Sequence, residues 1–171
     1  MQASIASDKV TTLPQVSTIA DGTAVKTPGN LIFPYIKEHL DDIITVEDDE
    51  LVVSFLDMVE NHKMVVENSG LLTVAALKDL GVTGKKVVSV LSGGNMDVIT
   101  MSSVVQQGLI LRDRIFTVSV LLPDKPGELS RVSNVIAVES GNVIKLEHNQ
   151  FVSINRSAAV ELRITLEAFG T

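Results

Sequence analysis

The chain has 171 residues, 45% of them apolar, 20% charged and 4% aromatic, with a formal charge of −7. That apolar share is too high for a disordered chain, and the length suits one compact domain or one and a part. No cysteine is present, which excludes disulfides, thiolate metal sites and cysteine nucleophiles, while the acidic balance argues against nucleic acid, whose phosphates need clustered Lys and Arg.

In chain order, residues 1–18 are small and polar, broken by Pro14. Gly22 and Gly29 mark two tight turns. Asn30 is placed to cap a helix over residues 31–40, with Pro34 in its first turn. Residues 43–46 read as a short buried strand. Glu47-Asp48-Asp49-Glu50 then opens a helix reaching about Asn61, its apolar residues Leu51, Val52, Phe55, Leu56 and Val59 at helical spacing. Residues 63–66 read as a second strand. Asn68 or Ser69 starts a helix over 71–80, with Gly81 placed to end it. Residues 86–91 read as a strong buried strand, followed by the turn Ser92-Gly93-Gly94-Asn95 and a helix over 97–107. Gly108 closes that block, and 109–114 reads as a connector. This alternation predicts a mainly parallel α/β sheet. The rest reads as a strand at 116–122, a helix at 128–139, and strands at 142–151 and 158–168. That β-α-β-β order is the front of a ferredoxin-like unit.

Four stretches could carry chemistry. Ser92-Gly93-Gly94-Asn95 lies between a strand and a helix, where backbone N–H groups and the helix dipole receive a ligand and a serine hydroxyl can meet a heteroaromatic nitrogen. The same four residues also suit a tight turn needing positive φ. Asp21-Gly22 reads either as a pocket wall with bare backbone or as an Asx-type turn. Glu67 reads as a site residue or, on spacing alone, better as a helix cap. Asp124-Lys125-Pro126-Gly127-Glu128-Leu129 reads as an ordinary strand-to-helix turn or as a place for an amino-acid carboxylate at a helix N-terminus. The acidic run at 47–50 lacks the spacing of a calcium loop. His39, His62 and His148 are too scattered for a histidine-rich metal site, so no metal ligands are assigned. No stretch approaches the roughly 20 apolar residues that cross a bilayer, and residues 1–8 lack the pattern of a signal peptide, so a cytoplasmic location with no membrane partner is expected.

Together these motifs resemble the threonine dehydratases (threonine ammonia-lyases), pyridoxal-phosphate enzymes of fold-type II, a group that includes serine racemases. The resemblance rests on residues 18–26 (Thr-Ile-Ala-Asp-Gly-Thr-Ala-Val-Lys) with Pro28-Gly29, on Asp41-Asp42-Ile43, on Val65-Val66-Glu67-Asn68-Ser69-Gly70 and on Leu91-Ser92-Gly93-Gly94-Asn95-Met96-Asp97. From Phe116 onward, Asp124-Lys125-Pro126-Gly127-Glu128-Leu129 and Val143-Ile144-Lys145-Leu146-Glu147-His148 resemble the ACT-type domain of the shorter members. The implied organisation is the C-terminal part of a parallel-sheet catalytic domain over 1–110, then an ACT-like regulatory unit over 111–171 that stops before its last helix and strand.

The resemblance implies that Ser92 faces the pyridine nitrogen of pyridoxal 5'-phosphate, with Gly93 and Gly94 shaping the turn beside the ring. Asp21 and Gly22 line the pocket, and Glu67 sits near the ring's far edge. It implies conversion of L-threonine to 2-oxobutanoate and ammonia, with L-serine as a further substrate, in threonine catabolism or isoleucine biosynthesis. Pro126, Gly127 and Glu128 become effector candidates, for isoleucine or valine, in a homo-oligomer. Two family features are absent from this sequence: the Ser-Phe-Lys motif with the Schiff-base lysine, and the Ser-Gly-Gly-Gly-Gly phosphate loop. The chain is therefore expected to be a piece of such an enzyme, with no catalytic residue of its own and cofactor binding in doubt. The alternative is a stand-alone amino-acid-sensing module built on the ACT-like half.

Overall fold

The computed structural model describes residues 1–150 and 159–168, and the chain divides into two units, Met1–Gly108 and Leu109–Thr171. The first unit is organised around one helix. Glu47 and Glu50 form a reciprocal capping box, which satisfies two otherwise orphaned N–H groups and starts α3 at Asp48–Asp57. Its apolar stripe packs inward: Phe55 is wholly buried, and Leu51, Val52 and Leu56 are nearly so. The helix loosens into a π-turn over Met58–His62, and Lys63 in the left-handed region ends it.

Shorter helices surround this one: α1 (Gln2–Ala6), α2 (Phe33–His39) and α4 (Leu72–Ala75). A longer one, α5, runs from Val98 to Leu111. Val104 of α5 joins the core formed by Leu51, Val52, Phe55, Met58, Val66 and Leu71. Gly108 lets α5 approach α3 closely, since a Cβ there would stand 3.3 Å from Leu56 and 3.5 Å from the Val52 carbonyl.

The first unit departs from the predicted parallel sheet. None of the segments 43–46, 63–66 and 86–91 forms a strand among the described residues. An apolar, β-branched run shows that a segment suits a sheet, but a strand also needs a hydrogen-bonded neighbour. Just past the ends of the last two segments a backbone bond joins the Glu67 N–H to the Gly93 carbonyl at 3.4 Å, and no ladder grows from it among the described residues. The 86–91 run is moreover not buried: Val88 is 91% exposed and Val90 67%. The predicted helix over 71–80 is three short pieces, with one-turn 3₁₀ segments on both sides of α4. Asn30 does not cap α2, whose N-cap is Ile32. Gly108 and residues 109–111 belong to α5 rather than to a connector.

The second unit follows the predicted order. It comprises β1 (Ile115–Leu122), α6 (Glu128–Val138), β2 (Asn142–Asn149) and β3 (Val160–Glu167). The strands form an antiparallel sheet of order β1-β3-β2. Register pairs Val118 with Ile164 and Leu146 with Ile164 on its other side. The alternating residues Val160, Leu162, Ile164 and Leu166 of the central strand are buried. Val132 and Ile136 of α6 pack against them, together with Val118 and Leu122. Every residue of β2 is exposed. The predicted ends of two strands, at Phe151 and Ala158, lie outside the described residues.

Candidate functional site

Two turns and the start of α5 surround a cavity of about 540 Å³ in the first unit. The first turn is anchored by α3. The Thr18 hydroxyl donates to Asp48 Oδ1 at 2.5 Å, and the Ile19 N–H donates to Asp48 Oδ2 at 3.1 Å. The Thr18 hydroxyl oxygen also accepts the Ala20 N–H at 3.1 Å. The chain then enters a 3₁₀ turn at Asp21–Thr23. Asp21 accepts the Gly22 N–H at 2.8 Å, and its side chain lies on the cavity wall.

The second turn begins at Glu67, whose backbone is extended (φ −62°, ψ 155°) ahead of the 3₁₀ segment Asn68–Leu71. The Glu67 carboxylate makes no capping bond to that segment. It reaches instead to the glycine loop, where Oε2 accepts the Asn95 N–H at 3.2 Å. This contact explains the glycines. Gly93 adopts φ +85°, and a Cβ on it would overlap the Glu67 carboxyl group. A Cβ on Gly70 would likewise overlap the Ser92 carbonyl. Gly94 has open space where a Cβ would stand, so nothing steric requires glycine there. Gly22 is tighter: a Cβ would stand 2.8 Å from Ser69 Oγ and 3.6 Å from Glu67 Oε1.

The structure therefore brings Asp21, Gly22, Glu67 and Gly93 together. Asp21 and Glu67 line the cavity; Ser92, Gly93 and Gly94 do not, and all three are exposed on the loop above Glu67. Sequence reasoning missed three contributors. Asp97 lies on the cavity wall and caps α5, accepting the N–H groups of Ile99 and Thr100 at 2.9 Å each. The Thr100 hydroxyl beside it, and then the Thr100 N–H, hold its carboxyl below the ordinary value. An acid one residue ahead of a helix is a readable N-cap signal. Asp48 and Asn68 act on residues 29 to 49 positions away, and no local pattern announces that.

Among the described residues, the wall carries the carboxylates of Asp21, Glu67 and Asp97 and no Lys or Arg. Such a wall suits N–H donors and cationic groups, and disfavours an anion.

In the second unit, Gly127 adopts φ +95° as the N-cap of α6. Both Glu128 carboxylate oxygens accept from the Arg131 guanidinium at 3.2 Å. Glu128 and Arg131 flank an open apolar groove of about 560 Å³ walled by Val118, Val132, Val135 and Ile136, among others. Glu128 also borders a small cavity of about 60 Å³ with Asp124, Lys125 and His148. Pro126 and Gly127 line neither.

Comparison with known proteins matches residues 1–93 to a family described as pyridoxal-phosphate dependent enzyme. An L-threonine ammonia-lyase of Geobacter sulfurreducens is 37% identical over 169 residues, which is 98% of this chain and 42% of that protein. One from Thermotoga maritima is 37% identical over 134 residues, 78% of this chain and 33% of that protein. The chain thus spans less than half the length of these relatives. Among solved structures, a T.th. threonine deaminase superposes with a TM-score of 0.50 at 30% identity, covering 56% of this chain and 33% of that one. Maize serine racemase superposes with a TM-score of 0.52 at 33% identity, covering 59% and 34%.

Proposed function

The chain belongs to the pyridoxal-phosphate dependent enzymes, and on that premise we propose that it forms the ring side of a cofactor site in a threonine ammonia-lyase. The observation that carries this reading is the packing of Gly93 onto Glu67, where no Cβ fits, directly after Ser92. The Glu67 carboxyl occupies that space and so fixes the loop beside Ser92. Ser92 itself is exposed, and its hydroxyl can donate to a ring nitrogen. The identity shared with L-threonine ammonia-lyases over nearly the whole chain supports the same reading.

In this reading the Ser92 loop takes the ring of the cofactor, and the cavity wall does not take its phosphate. Among the described residues the cavity wall has three carboxylates and no cation, and these offer a phosphate group no counter-charge. When bound, pyridoxal phosphate supplies an electron sink for the carbon that bears the amino group. This chain's residues do the holding. A neutral Ser92 hydroxyl beside the ring nitrogen would leave that nitrogen uncharged, which suits loss of a β-hydroxyl from a hydroxy amino acid. Asp21 and Gly22 border the ring, and Glu67 fixes the loop that carries Ser92 through the Asn95 N–H. The overall reaction assigned to the complete site takes L-threonine to 2-oxobutanoate and ammonia, with L-serine as a second substrate. No lysine of this chain stands in a Ser-Phe-Lys motif, so the chain by itself is assigned no turnover.

For the second unit we infer an ACT-like regulatory role. The β1-α6-β2-β3 order and the groove holding Glu128 and Arg131 beside valines favour it. The apolar groove suits the side chain of a branched-chain amino acid such as isoleucine or valine.

The test is a titration of the chain with pyridoxal 5'-phosphate followed by amide NMR, with a threonine assay alongside. Ser92, Asn95 and Gly22 are expected to shift, Ser92→Ala is expected to weaken binding, and no 2-oxobutanoate above the free-cofactor background is expected. Turnover of threonine by the chain would refute the division of labour, and unmoved resonances would refute the cofactor placement.

A further inference from the structure

Asn68 is 4% exposed, and its side chain joins segments 49 residues apart: Nδ2 donates to the Ile19 carbonyl at 3.0 Å. On one side of that bond Glu67 precedes Asn68. On the other, Asp21 follows Ile19 by two residues. The bond thus ties together the two turns that carry cavity carboxylates. No strand ladder links these turns among the described residues. The other end of the amide, Oδ1, is buried without a partner, and so is the adjacent Ser69 hydroxyl.

A buried amide whose carbonyl oxygen has no partner costs stability. If packing alone decided this position, an apolar residue of similar volume would serve better. What an apolar residue lacks is a directed N–H aimed at the Ile19 carbonyl.

We propose that Asn68 is a positioning residue: its amide fixes the Asp21–Gly22 turn against Glu67 and so sets the separation of the two carboxylates on the cavity wall. The use of those carboxylates beside a cofactor rests on the reading above. The tie itself does not.

The experiment compares Asn68→Asp, which keeps the shape and loses the N–H donor, with Asn68→Ala and with Leu71→Ala. Leu71 is a fully buried core residue of the same turn and controls for stability loss alone. Two quantities are read: NMR shifts of the Ile19 carbonyl and of the Gly22 and Asn95 amides, and affinity for pyridoxal 5'-phosphate. Both Asn68 variants are expected to move these three resonances further than any residue of α3, while Leu71→Ala spreads its shifts through the core. Affinity is expected to fall by up to about tenfold, the worth of one hydrogen bond. If Asn68 and Leu71 variants perturb the turns alike, in proportion to lost stability, Asn68 is a structural residue and the proposal falls. If the unsubstituted chain does not bind pyridoxal 5'-phosphate, the cofactor reading fails, and the NMR arm still decides the role of Asn68. Asn68→Ser replaces any variant that does not fold.

Discussion

Gly93 shows how one missing side chain holds a site together. Its φ of +85° lies in a region that L-residues enter at a cost, and the Glu67 carboxyl fills the space a Cβ would take. Two penalties therefore act on Gly93→Ala: backbone strain, and displacement of Glu67 from the Asn95 N–H. Together they are expected to destabilise the first unit by about 1–3 kcal/mol, the usual size for such strain. A urea titration measures it. Gly94→Ala is the internal control, because a Cβ there meets nothing within 4 Å. A loss at Gly94 equal to that at Gly93 would show that general loop stiffness, and not the fit against Glu67, sets the cost.

Among the elements, α5 illustrates what local chemistry can and cannot announce. Its start is local: Asp97 accepts two N–H groups and the Thr100 hydroxyl within one turn. Those bonds favour the ionised carboxylate and lower its pKa in the folded chain. The sign follows from linkage. A depressed folded pKa contributes stability that is present above the unfolded carboxylate value and disappears as pH falls through the lower, folded one. The first turn of α5 is expected to fray only below the ordinary aspartate range near pH 3.9. Asp97→Ala is expected to fray it at neutral pH and to remove that acid step. Amide exchange at Ile99 and Thr100 across pH measures both, and an unchanged acid step in the variant would assign it to other carboxylates. The same local logic made α3, α6 and the three strands of the second unit readable, because apolar spacing, caps and turns all lie within a few residues. The segments 43–46, 63–66 and 86–91 misled for the opposite reason. Their composition suits strands, but their neighbours are a matter of distant chain. The site divides in the same way. Asp21, Gly22, Glu67 and Gly93 were visible as turn chemistry, whereas the Asn68–Ile19 and Asp48–Thr18 bonds span 49 and 30 positions.

For the whole chain, the decisive feature is how much apolar surface stays in water. Val88 is 91% exposed, Leu31 89% and Ile99 and Val138 80% each. Such surface drives association when it is contiguous. Residues 86–91 combine it with backbone that no ladder occupies among the described residues, the combination that templates edge-to-edge pairing. The charge of −7 opposes association through long-range repulsion, which salt weakens as the screening length falls from about 10 Å at 0.1 M to 3 Å at 1 M. Self-association is therefore expected to strengthen with both concentration and salt. Val88→Lys places a charge in the middle of the exposed run and is expected to reduce it. Because Val88 makes little contact with the core, the change in stability should stay within the range of an ordinary surface substitution, about 0.5 kcal/mol either way. Light scattering across concentration, at low and high salt, reads the effect. A weight-average mass equal to one chain under every condition would show that this run does not pair. Equal association by Val88→Lys and the unsubstituted chain would move the contact to another apolar surface, such as the exposed strand β2.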